Sequence, residues 1–170
     1  MNNKINLDPL LTHIGLCVIQ SQSVEFLLRG IVMSFRKQIN NKFISELKPS
    51  DIYESTKSGE KLRKLTLGTL KNLIKDAEIL NPDRLEKYVV ERNYIVHSFW
   101  ENEIATDISN ESVQQSLIRC QNFIDESEKL ESSLKGAVYI LAKIMKEIDS
   151  KLNIDSFEKF ASFEKDFDKY

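Results

Sequence analysis

The chain has 170 residues and a mass of 19.7 kDa, with 41% hydrophobic and 29% charged residues. That is enough for one globular domain with its own core, and it excludes the disordered, collagenous and mucin-like classes. Five Gly and three Pro leave few sharp turns, which argues against a many-stranded sandwich or barrel and makes long helices the default. A formal net charge of −2 and a pI near 5.8 exclude a broad polycationic surface, so any nucleic-acid chemistry has to be local.

Asp8-Pro9 reads as a helix start, with Asp8 taking the orphan amides of the first turn and Pro at the first helical position losing no hydrogen bond. Apolar residues then recur at three- and four-residue steps from Leu10 to Phe35, which predicts one long helix over roughly residues 9–38. The stretch from Asn40 through LKPSDIYESTKSGEK carries Pro49, Gly59 and a cluster of Ser, Thr and Asp, and is expected to be a loop or a poorly ordered excursion. Residues 61–75 place Leu62, Leu65, Leu70, Leu73 and Ile74 on one stripe, a second and shorter helix. Asn81-Pro82 stops the chain and restarts it, with Asn81 as the cap of a third helix running to about Phe99. A pattern from Val113 to Ile148 then predicts one long helix, or two broken near Gly136. Two long and two shorter helices with one apolar face each pack most simply as an antiparallel, all-α bundle.

The chain divides into a helical body over residues 1–152 and an amphipathic aromatic tail over 153–170. In the tail Phe157, Phe160, Phe163, Phe167 and Tyr170 recur every three to four residues on a charged background. Asp155 and Glu158 resemble a capping box opening a short helix. The rings either dock on the helical body or meet a partner.

Cys17 and Cys120 form no CxxC pair, which fits a reducing cytoplasm. The N-terminus lacks the basic patch and apolar run of a signal peptide, and no stretch approaches 18 uninterrupted apolar residues, so the protein is expected to be soluble and cytoplasmic, away from membranes. His13 and His97 alone cannot build a His-rich metal centre, and HExxH, P-loop and GxGxxG signatures are missing, so no metal and no cofactor is expected.

Charge is segregated along the chain. Residues 29–75 carry eleven basic against four acidic residues, a balance of +7, and residues 98–170 carry nine against fifteen, a balance of −6. Lys61, Arg63 and Lys64 stand out in the basic stretch as candidate RNA-binding residues.

The chemistry points to Glu91-Arg92-Asn93-Tyr94-Ile95-Val96-His97-Ser98-Phe99. Arg92 is a permanently charged fork that matches phosphate oxygens, and His97 is the side chain best suited to proton transfer near neutrality. Asn93, four residues before His97, shares its helical face and can orient the imidazole or a substrate oxygen. Arg92 and His97 stand five residues apart, about 140° round a straight α-helix, so a kink or a second copy of the motif must complete the site. A two-fold dimer supplies that copy. Arg-x4-His arises in roughly 7% of shuffled sequences of this composition, and with Asn directly after the Arg in about 0.5%.

Arg92-Asn93-x3-His97 resembles the signature of the HEPN domain, whose small all-helical members carry Arg-Asn-x3-His late in their third main helix. Thr66-Leu67-Gly68-Thr69-Leu70 looks like the segment preceding that helix in several branches, and Gly15 with Val24-Glu25-Phe26 resembles the first helix, so the likeness covers about residues 8–150. The resemblance implies a four- to five-helix bundle, a homodimer with two motifs facing each other and, as in many members, a metal-independent endoribonuclease serving as a toxin of a toxin–antitoxin or phage-defence system. Arg92, Asn93 and His97 would be its active-site residues, RNA rather than DNA its substrate, and an antitoxin or nucleotidyltransferase a partner. In one branch that partner attaches AMP to a Tyr two residues after the motif His, a position held here by Phe99. Other members have lost catalysis, so the alternative is a non-catalytic module binding a protein partner, RNA or a nucleotide.

Overall fold

Two long helices pack along one another in the computed structural model, which describes residues 5–52, 56–75, 80–105, 108–148, 150–151 and 153–169. Helix α1 spans Asp8–Ser34 and buries Leu10, Cys17, Val24 and Ile31 at seven-residue intervals, with Ser21 and Leu28 between them. Helix α6 spans Asn110–Ile148 and presents Val113, Cys120, Ser127 and Leu134 at the same interval, with Phe123 and Leu130 between. This 3–4 spacing keeps one apolar seam facing its neighbour along the whole contact. The seam's serines stay satisfied within their own helices, Ser21 Oγ donating to the Cys17 carbonyl and Ser127 Oγ to that of Phe123, both at 2.7 Å. No β-strand occurs among the described residues, and the fold is all-α.

Cys17 meets Cys120 in the first half of both helices, while Leu27 and Gly30 share a cleft with Val138 further along both. α1 and α6 therefore run in the same direction, not in the opposite directions of an antiparallel pair. Helix α5, Pro82–Asn93, runs against α6, since Arg84 meets Glu126 and Glu91 meets Arg119. α6 is continuous through Gly136.

Several boundaries differ from the sequence expectation. The side chain of Asp8 caps nothing: Leu7 is the N-cap of α1, and the Asp8 amide donates to Asn6 Oδ1 at 3.0 Å. α1 ends at Ser34 and turns through residues 35–39, short of residue 38 as a helical end. The expected loop is largely helical: Asn41 caps α2 (Lys42–Glu46), a 3₁₀ turn covers Pro49–Ile52, and Thr56 caps α3 (Lys57–Arg63). Burial of Ile44, Leu47 and Leu62 drives this stretch onto the core. The single helix expected over 61–75 is broken after Arg63, and Thr66 caps α4 (Leu67–Ile74) by accepting from the Thr69 amide at 3.2 Å. Leu62 and Leu67 are both fully buried. Five residues apart, they would diverge by about 140° on one straight helix, and the break turns both inward.

Asn81 caps α5 as the sequence suggests, accepting from the amides of Asp83 and Arg84 at 3.0 and 3.2 Å. The tail forms a single α-turn, α7 (Asp155–Glu158), followed by 3₁₀ helix over Ala161–Lys169. No capping box forms, because Ile154 is the N-cap and the Asp155 amide donates to Asn153 Oδ1. The tail lies on α6: Ser133 Oγ donates to the Phe167 carbonyl at 3.0 Å, Lys143 pairs with Glu164 at 2.8 Å, and Phe160 and Phe167 pack against the core. Tyr170, and residues 53–55 of the expected loop, lie outside the described residues.

By length and composition α1 could cross a membrane, with an 18-residue window of mean hydropathy 1.3. Its apolar residues are dispersed over two faces rather than forming an unbroken run. One face is the seam on α6, and the other exposes Leu11, Ile19 and Phe26.

Candidate active site

After Asn93 the helix widens. Tyr94–Ser98 and Trp100–Ile104 are π-helical, with the Phe99 amide donating to the Tyr94 carbonyl and the Ala105 amide to that of Trp100 at 2.9 Å. The apolar residues supply a reason. Ile95, Phe99 and Ile104 are all buried, 0–3% exposed, yet at α-helical steps Ile104 would stand about 180° from Ile95. Five-residue closures turn all three inward, at the cost of the weaker π geometry. Such turns are frequent at functional positions.

The same widening brings Arg92 back onto His97. Arg92 Nη1 lies 3.4 Å from His97 Nε2 and 3.2 Å from Asn93 Oδ1. A guanidinium carries only donors, so in this geometry the Nε2 lone pair accepts and the ring proton sits on Nδ1. One chain thus unites the three motif residues, and Asn93 contacts Arg92 rather than the imidazole.

The other edge of Arg92 is anchored to α1. Nη2 donates to Glu25 Oε1 at 2.7 Å, and Glu25 Oε2 accepts from Arg29 Nη2 at 3.2 Å. Arg29 Nη2 also reaches the Arg63 carbonyl at 3.0 Å. Burial lowers the Arg29 pKa, a pull that the adjoining Glu25 carboxylate opposes. One carboxylate between two guanidinium groups leaves a residual positive charge beside the exposed His97 and Asn93.

On the opposite side, Arg119 of α6 fixes the widened helix. It pairs with Glu91 at 2.6 Å and Glu103 at 3.2 Å and lies 3.9 Å over the Tyr94 ring. The hydrogen-bonded Glu91 carboxylate raises the Arg119 pKa. The Tyr94 hydroxyl donates to Glu103, and its ring meets Phe99 edge-on at 6.2 Å. Motif and scaffold therefore use alternate faces of the same turn.

The basic candidates reach the site indirectly. Lys61, Arg63 and Lys64 lie at the end of α3 and are exposed, with Lys61 Nζ 4.1 Å over the Phe43 ring. It is the Arg63 backbone carbonyl that joins this segment to Arg29 and, through Glu25, to Arg92. His13 bonds to the Pro9 carbonyl at 2.8 Å and takes no part. Among the described residues, no three His, Cys, Asp or Glu side chains cluster as metal ligands.

Sequence reasoning missed the roles of Glu25 and Arg29. Their signal is an acid–base pair four residues apart inside VEFLLRGIV, where charge is expensive unless partnered. No protein-family model, curated protein or solved structure matches this chain.

Proposed function

We propose that this chain is a metal-independent endoribonuclease, a toxin of a toxin–antitoxin or phage-defence system, built as a four- to five-helix bundle that pairs into a symmetric homodimer. The observation that carries the proposal is the convergence of Arg92, Asn93 and His97 on one exposed surface through the π-helical turn.

In this reading an RNA strand occupies the cleft between two copies. The phosphate draws Arg92 Nη1 away from His97 Nε2, and the freed lone pair takes the proton of a 2′-hydroxyl, whose oxygen attacks the adjacent phosphorus. Arg92 offsets the charge that develops on the phosphoryl oxygens. The 5′-oxygen leaves with a proton from the imidazolium of the other copy, giving a 2′,3′-cyclic phosphate and a 5′-hydroxyl. DNA lacks the attacking group and is not cut. Leu11, Ile19 and Phe26 are exposed on the side of α1 turned away from α6, an apolar stripe suited to self-association.

The test is cleavage of labelled RNA in EDTA by wild type, His97→Ala and Arg92→Ala, with end-group analysis. Each variant is expected to lose about 10²–10⁴ in rate. Wild-type rates in both variants refute the proposal. The engagement of Arg92 by Glu25 favours one alternative, a non-catalytic module that binds a protein partner, RNA or a nucleotide. A complex that survives His97→Ala, with no RNA cut by wild type, selects it.

A further inference from the structure

We infer that Glu25 is a positioning residue for Arg92, holding the guanidinium with one edge toward α1 and the other toward His97 and Asn93. The inference rests on the ribonuclease reading and adds a residue outside its motif.

Glu25 is an acid on an otherwise apolar stretch of α1, only 9% exposed. Its carboxylate is divided between two arginines, Oε1 to Arg92 at 2.7 Å and Oε2 to Arg29 at 3.2 Å. Arg29 is itself tethered to the Arg63 carbonyl. The carboxylate is therefore located by groups on α1 and α3 before it meets α5. Arg92 Nη2 is committed to it, and Arg92 Nε is buried without a hydrogen-bond partner. Both Nη1 N–H groups are turned to His97 Nε2 and Asn93 Oδ1, so a phosphate oxygen entering the site takes the N–H that now meets the imidazole.

An unanchored arginine side chain samples many rotamers. A displacement of about 1 Å at a reacting group can cost about 10²-fold in rate. Glu25 would cancel the site's positive charge if it faced Arg92 alone. Arg29 restores that charge, so the carboxylate orients one guanidinium without neutralising the surface that has to attract an anion.

The experiment compares wild type with Glu25→Gln and Glu25→Asp in steady-state cleavage of an RNA oligonucleotide, with urea unfolding as a control for folding. Glu25→Gln is expected to lower kcat by about 10–100-fold while KM stays within about threefold, and Glu25→Asp to recover part of the loss. A wild-type kcat in folded Glu25→Gln, while His97→Ala is inactive, overturns the inference and leaves the ribonuclease reading standing. If the wild type cuts no RNA, that reading fails and nitrogen-15 NMR of the Arg92 guanidinium decides separately. Slowed guanidinium rotation in the wild type that is lost in Glu25→Gln supports positioning, and identical spectra overturn it.

Discussion

Arg92 and His97 are five residues apart in one helix, yet Arg92 Nη1 lies 3.4 Å from His97 Nε2. The helix meets this requirement by changing its hydrogen-bond register over Tyr94–Ser98, and burial of Phe99 at 1% exposure helps to hold that register. Phe99→Ala is therefore expected to cost about 3–5 kcal/mol in urea unfolding and to abolish RNA cleavage together with the packing. Phe99→Tyr would place a hydroxyl in the core without a partner, a loss of about 1–3 kcal/mol. Because that hydroxyl is buried, incubation of Phe99→Tyr with a nucleotidyltransferase and ATP should leave the intact mass unchanged.

Arg29 supplies the positive charge that Glu25 takes from Arg92. Arg29→Gln is expected to weaken binding of a non-cleavable 2′-O-methyl RNA in fluorescence anisotropy. The slope of log affinity against log salt should shrink by about 0.7, the value for one phosphate contact on a single strand. Arg29→Lys should restore the slope. An unchanged slope in Arg29→Gln means that Arg29 serves Glu25 alone.

Asp51 joins the turns before α3. It accepts from the Lys48 amide at 2.8 Å and the Thr56 hydroxyl at 2.7 Å, and these bonds hold its pKa below the ordinary 3.8. A depressed carboxylate contributes stability that is complete above the unfolded-state value and is lost as pH falls through the lower folded-state value. The stability gap between wild type and Asp51→Asn should therefore be constant above about pH 5 and shrink below pH 3.8. Urea midpoints measured from neutral to acid pH read this directly, and a gap that grows on acidification contradicts it.

At Gly136 the backbone of the tail closes directly on α6. A Cβ at this position would stand 2.4 Å from the Phe163 carbonyl oxygen, and backbone cannot step aside as a side-chain tip can. Gly136→Ala is expected to lose about 1–3 kcal/mol despite the better helix propensity of Ala. Limited proteolysis should release the tail faster from the variant than from wild type.

Thr66 caps α4 where a continuous helix would otherwise run from α3. Thr66→Ala should cost about 1 kcal/mol in urea unfolding. Asn81→Ala, at the start of α5, should cost a similar amount and additionally loosen the helix that carries Arg92.

The long helices were legible in the sequence because periodicity is local: the three- and four-residue steps of Leu10, Ile14 and Cys17, and of Val113, Leu117, Cys120 and Ile124, mark α1 and α6 directly. The Asn81 cap was readable for the same reason. So was the chemical character of Arg92, Asn93 and His97, since a guanidinium and an imidazole keep their properties wherever they sit.

Tertiary structure alone decided where those groups meet. Glu25 and Arg92 are 67 residues apart, and no local pattern pairs them. The register change at Tyr94 and the break after Arg63 share one physical cause. Ile104 after Ile95, and Leu67 after Leu62, must both face the core, and straight α-helices would point one of each pair outward. A core is filled by the whole chain at once, so a turn gives up regular hydrogen bonding where distant residues demand burial. In this protein that concession brings the arginine to the histidine.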